Sequence, residues 1–233
     1  MVKKALFWDF DGTLILPNES FLDALQHALK PFNYSVNPET IRIFLRSACP
    51  WYHPEKSYTD TTGVNWWDHF FESFEGFYME HSIADSDREK INQLFKEYIL
   101  NDKNYTVYPD ADMVLHQCHG MGYKNYILTN NFPELAVIAK RIGLSKHIDD
   151  YIISTNIGFE KPRPELFQYA LRIANVPDIC YMIGDNPVAD IQGGKQMGMK
   201  TIFVHKGICS EADYNCNDLK EIPALLCHLT SIE

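Results

Sequence analysis

A chain of 233 residues with 45% hydrophobic and 22% charged side chains has an ordinary globular composition and can bury a substantial core. Its formal net charge of -10 argues against nucleic-acid partners, because phosphate backbones are held mainly by Lys and Arg. No apolar run is long enough for a bilayer span or a signal-peptide core, and the six cysteines are scattered without a C-x-x-C pair, so reduced, mostly buried thiols and a cytoplasmic protein are expected.

The first element is a short apolar run at residues 6–8, which breaks off into Asp9, Phe10, Asp11, Gly12 and Thr13. Two carboxylates two residues apart repel each other, and burial adds to the cost of their charge. From about residue 17 to 101 the pattern is helical, with no buried strand. At its centre Trp66, Trp67, Phe70, Phe71, Phe74, Phe77 and Tyr78 fall on one broad helical face, the signature of packing inside a small bundle. Further apolar runs follow at 126–128, 151–153, 180–183 and 202–204, short enough and bounded by enough turn residues to read as strands buried on both faces. Helical segments at 110–118, 133–142 and 164–174 fall between them, the last two opened by proline. Alternation of this kind predicts an α/β fold with a parallel sheet and right-handed crossovers. The helical stretch interrupts it after the first strand. Residues 16–102 therefore read as an inserted second domain on a core of residues 1–15 and 103–233, joined by two adjacent linkers that could act as a hinge.

Open parallel sheets bind ligands beyond the carboxyl ends of their strands. Asp9 and Asp11 follow the first strand, Thr129, Asn130 and Asn131 the second, and Asp185 and Asp190 the fourth; Lys161 lies in the loop after the third. Each has a use if the substrate is a phosphate ester. A divalent cation would offset the repulsion between Asp9 and Asp11, with Asp185 as a further oxygen ligand, and few protein oxygens completed by water suit Mg²⁺. Thr129 can donate its hydroxyl to a phosphoryl oxygen, and Lys161 can neutralise charge on the transferring group. Taken singly these residues have plain readings too: a turn at Asp11-Gly12, a solvated loop lysine at Lys161, a helix cap at Asp185-Asn186. Their placement at strand ends is what joins them.

The segments "DFDGT" at 9–13, "LTN" at 128–130, Lys161 followed by "PRPELF", and "GDNPVAD" at 184–190 resemble, in order, the four motifs of the haloacid dehalogenase superfamily. The resemblance covers the core and implies a Rossmann-like parallel sheet, with the helical insert as a type 1 cap. It also implies roles. Asp9 would be the nucleophile that forms an aspartyl-phosphate, and Asp11 the acid and then the base. Mg²⁺ would be held by Asp9, Asp11 (through its backbone carbonyl) and Asp185. Thr129, Asn130 and Lys161 would bind the phosphoryl group, with Asp190 behind them orienting Lys161 or a water.

The function so implied is a Mg²⁺-dependent phosphatase acting on a small soluble phosphomonoester, resembling phosphoglycolate, a sugar phosphate or a nucleotide. A phosphosugar mutase of the same superfamily is the alternative, ahead of a non-catalytic binding protein on the same fold. Dehalogenation is disfavoured, because a C–Cl bond needs no proton on its leaving group and the superfamily's dehalogenases usually lack an acid where Asp11 stands. None of Lys30, Lys56, Lys90 and Lys96 is singled out as the Schiff-base lysine of a phosphonatase. The loop residues Trp51, Tyr52 and His53 are the candidates for selecting the substrate. A small phosphorylated metabolite is the partner expected, with no membrane and no nucleic acid; oligomeric state stays open.

Overall fold

The computed structural model describes residues 2–230. Six parallel strands form one sheet: β1 (Lys4–Trp8), β2 (Tyr123–Thr129), β3 (Asp150–Ile153), β4 (Ile179–Gly184), β5 (Lys200–Val204) and β6 (Tyr214–Cys216), in the spatial order β3-β2-β1-β4-β5-β6. The five strands expected from the apolar runs are all present, each longer than or equal to its run. The sixth was not anticipated. Its sequence is Tyr-Asn-Cys at the sheet edge, where one flank carries no partner strand and no continuous apolar run is needed.

Side chains alternate across this sheet, so each strand feeds two cores. Ala5 and Phe7 face Leu166, Phe167 and Ala170 of α9 (Pro164–Ile173). Leu6 and Trp8 face the opposite layer, with α6 (Ala111–Gly120), α7 (Leu135–Arg141) and α11 (Ile222–Thr230). The Trp8 indole is not left unpaired in that layer: its Nε1 donates to Asn125 Oδ1 at 3.0 Å, and Asn125 spends its own amide on the carbonyls of Leu115 and His147. Among the described residues no cysteine forms a disulfide, and no helix is long and apolar enough to cross a membrane.

Between β1 and α6 the chain forms the helical insert: α1 (Ser20–Leu29), α2 (Pro38–Ala48), α3 (Trp66–Glu72), α4 (Glu75–Glu80) and α5 (Asp85–Ile99). The aromatic face read from the sequence is its core. Trp66, Trp67, Phe70, Phe74, Phe77 and Tyr78 are buried, and Phe70 and Phe74 meet Phe95 of α5 at 5.9 and 5.5 Å between ring centroids. The insert is not helical throughout. Residues 49–65 form an irregular stretch with three short 3₁₀ turns, opened by Pro50 and studded with threonines that turn back onto their own backbone.

The chain leaves and re-enters the sheet side by side. Leu16 N donates to Thr106 O at 2.8 Å, Tyr108 N donates to Leu14 O at 3.0 Å, and Ile15 bridges Val107 antiparallel.

Candidate active site

At the carboxyl end of β1, Asp9 N still donates to Ile183 O at 2.9 Å, so the first carboxylate sits on the last rung of the ladder. The chain then turns sharply: Leu14 N and Ile15 N both donate to Phe10 O. Gly12 makes that turn at φ +76°, and a Cβ there would stand 2.3 Å from Asp185 Oδ2. Only glycine satisfies both constraints, and the close approach sets the Asp9–Asp11 loop against the end of β4. His205, stacked on Tyr108 at 4.0 Å, donates from Nε2 to Thr13 O and holds the far side of the same loop.

Lys161 is the hub. Its side chain is 2% exposed, and Nζ donates to Asp9 Oδ1 at 2.7 Å, Asp190 Oδ1 at 2.6 Å and the Leu128 carbonyl at 2.9 Å. Burial works against the ammonium, but Asp190 and Asp9 outweigh it and hold Lys161 above its ordinary value. The backbone of Lys161 is pinned as well, by a reciprocal pair with Asn130: Lys161 N to Asn130 Oδ1 at 2.6 Å and Asn130 Nδ2 to Lys161 O at 3.1 Å. The side chain of Asn130, expected to reach a substrate, is therefore committed to the loop that carries Lys161.

Asp190 is fully buried, and both of its oxygens are engaged, Oδ1 by Lys161 and Oδ2 by Asn186 N at 3.0 Å. It lies in a π-helical turn, Pro187–Gln192, whose cap is Asn186, accepting from the amides of Val188 and Ala189. Burial raises its pKa. Asp185 faces the cavity; burial first and Asp9 second raise its pKa, against the pull of Lys206, whose Nζ lies 2.6 Å from Oδ2.

Asp11 carries the most telling perturbation. Burial, and then the charge of Asp9, push it up to about 7. Asn131 Nδ2 donates to its Oδ2 at 2.5 Å, and Asn131 is itself fixed by Ser154 and Thr155, from α8 (Ser154–Ile157) at the end of β3. The two carboxylates of one motif thus differ in their surroundings: Asp9 stands against the Lys161 ammonium, and Asp11 is buried against Asn131 with its pKa raised.

Asp9, Asp11, Thr129, Asn130, Lys161 and Asp185 all line one cavity of about 530 Å³, with the insert as its other wall. Trp51 and Tyr52 line it too. His53 does not: it stands outside the lining, with its Nε2 buried and its Nδ1 3.6 Å from Glu55. Sequence reasoning passed over Lys206, Arg42 and Arg46, which also line the cavity, and it placed Asn131 at the end of the second strand without giving it a role. Asn131 stood next to a motif residue, so its position was visible though its role was not.

One carboxylate oxygen from each of Asp9, Asp185 and Asp190 lies within 4.8 Å of the others. An all-oxygen, largely buried donor set of this kind fits a hard divalent cation. Asp190 has both oxygens spent on Lys161 and Asn186, whereas the ion pairs of Asp9 and Asp185 engage one oxygen each, Oδ1 by Lys161 and Oδ2 by Lys206.

A family model described as haloacid dehalogenase-like hydrolase matches residues 3–198. Among curated proteins, the chain is 31% identical over 142 residues to a phosphoserine phosphatase of Thermus thermophilus, a match spanning 58% of this chain and 57% of that one. It is 26% identical over 211 residues to the human haloacid dehalogenase-like hydrolase domain-containing protein 3, covering 86% and 81%. Among solved structures, the HAD-hydrolase YfnB of Bacillus subtilis, bound to magnesium, superposes with a TM-score of 0.72 at 19% identity, covering 97% of this chain and all of that one.

Proposed function

The chain belongs to the haloacid dehalogenase-like hydrolase family, and from that premise we propose that it is a Mg²⁺-dependent phosphatase of small phosphomonoesters, working through an aspartyl-phosphate. The observation that carries the reading is the split between Asp9 and Asp11. Asp9 is held by the Lys161 ammonium at 2.7 Å, whereas Asp11 is pushed up to about 7. A phosphatase needs one carboxylate as an anion and the other as a proton donor.

Asp9 attacks phosphorus through a carboxylate oxygen, forming a P–O bond as the ester P–O bond breaks. Asp11 gives its proton to the departing alkoxide. A water then attacks the same phosphorus, its proton passes to Asp11, and phosphate leaves with Asp9 regenerated. Lys161 and the Thr129 hydroxyl balance the charge on the phosphoryl oxygens, and Asp190 keeps Lys161 aimed at Asp9. Asp9, the Asp11 carbonyl and Asp185 would hold Mg²⁺, which when bound supplies charge stabilisation to the phosphoryl group. The insert, residues 16–102, acts as a cap that closes this cavity from water.

The phosphosugar mutase alternative has no observation in its favour here. Hydrolysis of p-nitrophenyl phosphate by the purified protein, with and without Mg²⁺, tests the reading together with Asp9→Asn. Asn keeps shape and hydrogen bonding but not the nucleophilic anion, so turnover is expected to fall by roughly three orders of magnitude or more with the fold retained. A folded Asp9→Asn protein with wild-type rates would refute the mechanism.

A further inference from the structure

The cavity is lined by four cations, Lys161, Lys206, Arg42 and Arg46. Three of them are spoken for. Lys161 is bound to Asp9 and Asp190, and Lys206 to Asp185. Arg42 is gripped by Glu19 through Nε at 2.8 Å and Nη2 at 2.7 Å, and its Nη1 is 3.3 Å from Glu39. Arg46, one turn further along α2, makes no hydrogen bond or ion pair among the described residues. In a chain of net charge -10, it is the cavity's one uncommitted positive charge among those residues.

Its surroundings are those of a ligand site. Tyr52, half-exposed, lines the same cavity as Arg46. Trp51, packed edge-on against Phe21 at 4.9 Å, lines the same cavity. A volume of about 530 Å³ is that of an ordinary small-molecule site and far more than a phosphoryl group fills. The remainder must hold the rest of the substrate, in a cavity that Trp51, Tyr52 and the Arg46 guanidinium also line.

We propose that Arg46 selects substrates bearing a second anionic group, a carboxylate or a second phosphate, at the end opposite the phosphoryl group that is cleaved. A guanidinium presents a planar fork of donors that matches either anion in a two-bond geometry. Because Glu19 and Glu39 already neutralise Arg42, the distal anion meets one specific cation and not a diffuse basic patch. The inference rests on the phosphatase reading and names the substrate class for that site.

The test compares paired esters: 3-phosphoglycerate against glycerol 3-phosphate for the carboxylate, and fructose 1,6-bisphosphate against fructose 6-phosphate for the second phosphate. Each is measured with the wild type, Arg46→Gln and Arg46→Lys. The wild type is expected to favour at least one dianionic partner by about tenfold to a hundredfold in kcat/KM, the size of one charge-assisted contact. Which pair shows the preference tells carboxylate from phosphate. Arg46→Gln is expected to erase it, chiefly through KM, and Arg46→Lys to restore part of it. Turnover with no preference in the wild type, or a preference that survives Arg46→Gln, overturns the proposal alone. No turnover of any ester overturns the phosphatase reading and this inference with it.

Discussion

Asp11 shares a buried loop with Asp9, and its elevated pKa makes it an acid near neutral pH. An alkoxide leaving group needs that proton, whereas nitrophenolate departs with little help. Asp11→Asn is therefore expected to slow alkyl phosphates by about a thousandfold and p-nitrophenyl phosphate by roughly tenfold or less in its first step. Equal losses across the two ester types would remove Asp11 from the acid role. Glu160 shows what burial does without a catalytic partner. It is 1% exposed, its Oε2 has no hydrogen-bond partner among the described residues, and burial pushes it up from 4.5 to about 7 against the pull of Ser154 and Lys161. A carboxyl whose folded pKa is raised favours the fold most when protonated, so its contribution is complete below about pH 4.5 and is lost as pH rises to about 7. Against Glu160→Gln, which stays neutral, the wild type is expected to lose on the order of 3 kcal/mol across that window. Parallel melting curves of the two proteins from pH 4.5 to 8 would show that this residue carries no such linkage.

At the level of elements, the core was legible because its chemistry is concentrated where strands end. The run ending at Trp8 announces Asp9 and Asp11, and the run ending at Ile183 announces Asp185. Lys161 was placed only in the loop after the third run and not at a strand end, since that loop begins beyond the short helix that follows β3. What stayed hidden depends on contacts between segments far apart in the chain. Arg46 reads as a surface residue of an amphipathic helix until α2 is seen to line the cavity, and Lys206 reads as a loop lysine until its ammonium is found on Asp185. The irregular stretch 49–65 is similar: its sequence shows no period, yet it docks. Tyr58 N donates to Gly158 O at 2.8 Å, and a Cβ on Gly158 would lie 2.6 Å from Thr59 Cα at a backbone φ of +87°. Gly158→Ala is accordingly expected to lift this stretch from the core, at a cost of about 2 kcal/mol. Amide exchange of Tyr58 should accelerate, and an unchanged rate with an unchanged melting temperature would sink the idea.

On the scale of the whole molecule, the insert meets the core at more than its two crossings. Trp67 Nε1 donates to both oxygens of Glu134, Lys96 lies 3.5 Å from the same carboxylate, and Arg163 Nη1 donates to Lys56 O at 3.0 Å. Beneath these polar contacts one apolar cluster runs through both parts, with Trp67 and Phe132 at 6.2 Å between ring centroids. If the insert is a cap, vanadate, a mimic of the transferring phosphoryl group, is expected to slow amide exchange at residues 56–59 and 132–135 together. Protection confined to the strand ends would show that the insert stays in place during turnover. The paired crossings at Leu16–Thr106 and Leu14–Tyr108 also bear on how the chain is made. On the ribosome, β1 emerges first, but its neighbours in the sheet, β2 and β4, come only after the whole insert. The five insert helices pack chiefly on one another, with α1 along both α2 and α5, so their partners are complete as soon as α5 is out. Synthesis thus delivers the insert as a finished hairpin of chain that holds its two ends together, and β1 waits beside the spot where β2 will arrive. A nascent chain stalled after Asn104 has cleared the exit is expected to protect Trp67 and Phe95 from protease while residues 4–8 remain open to it.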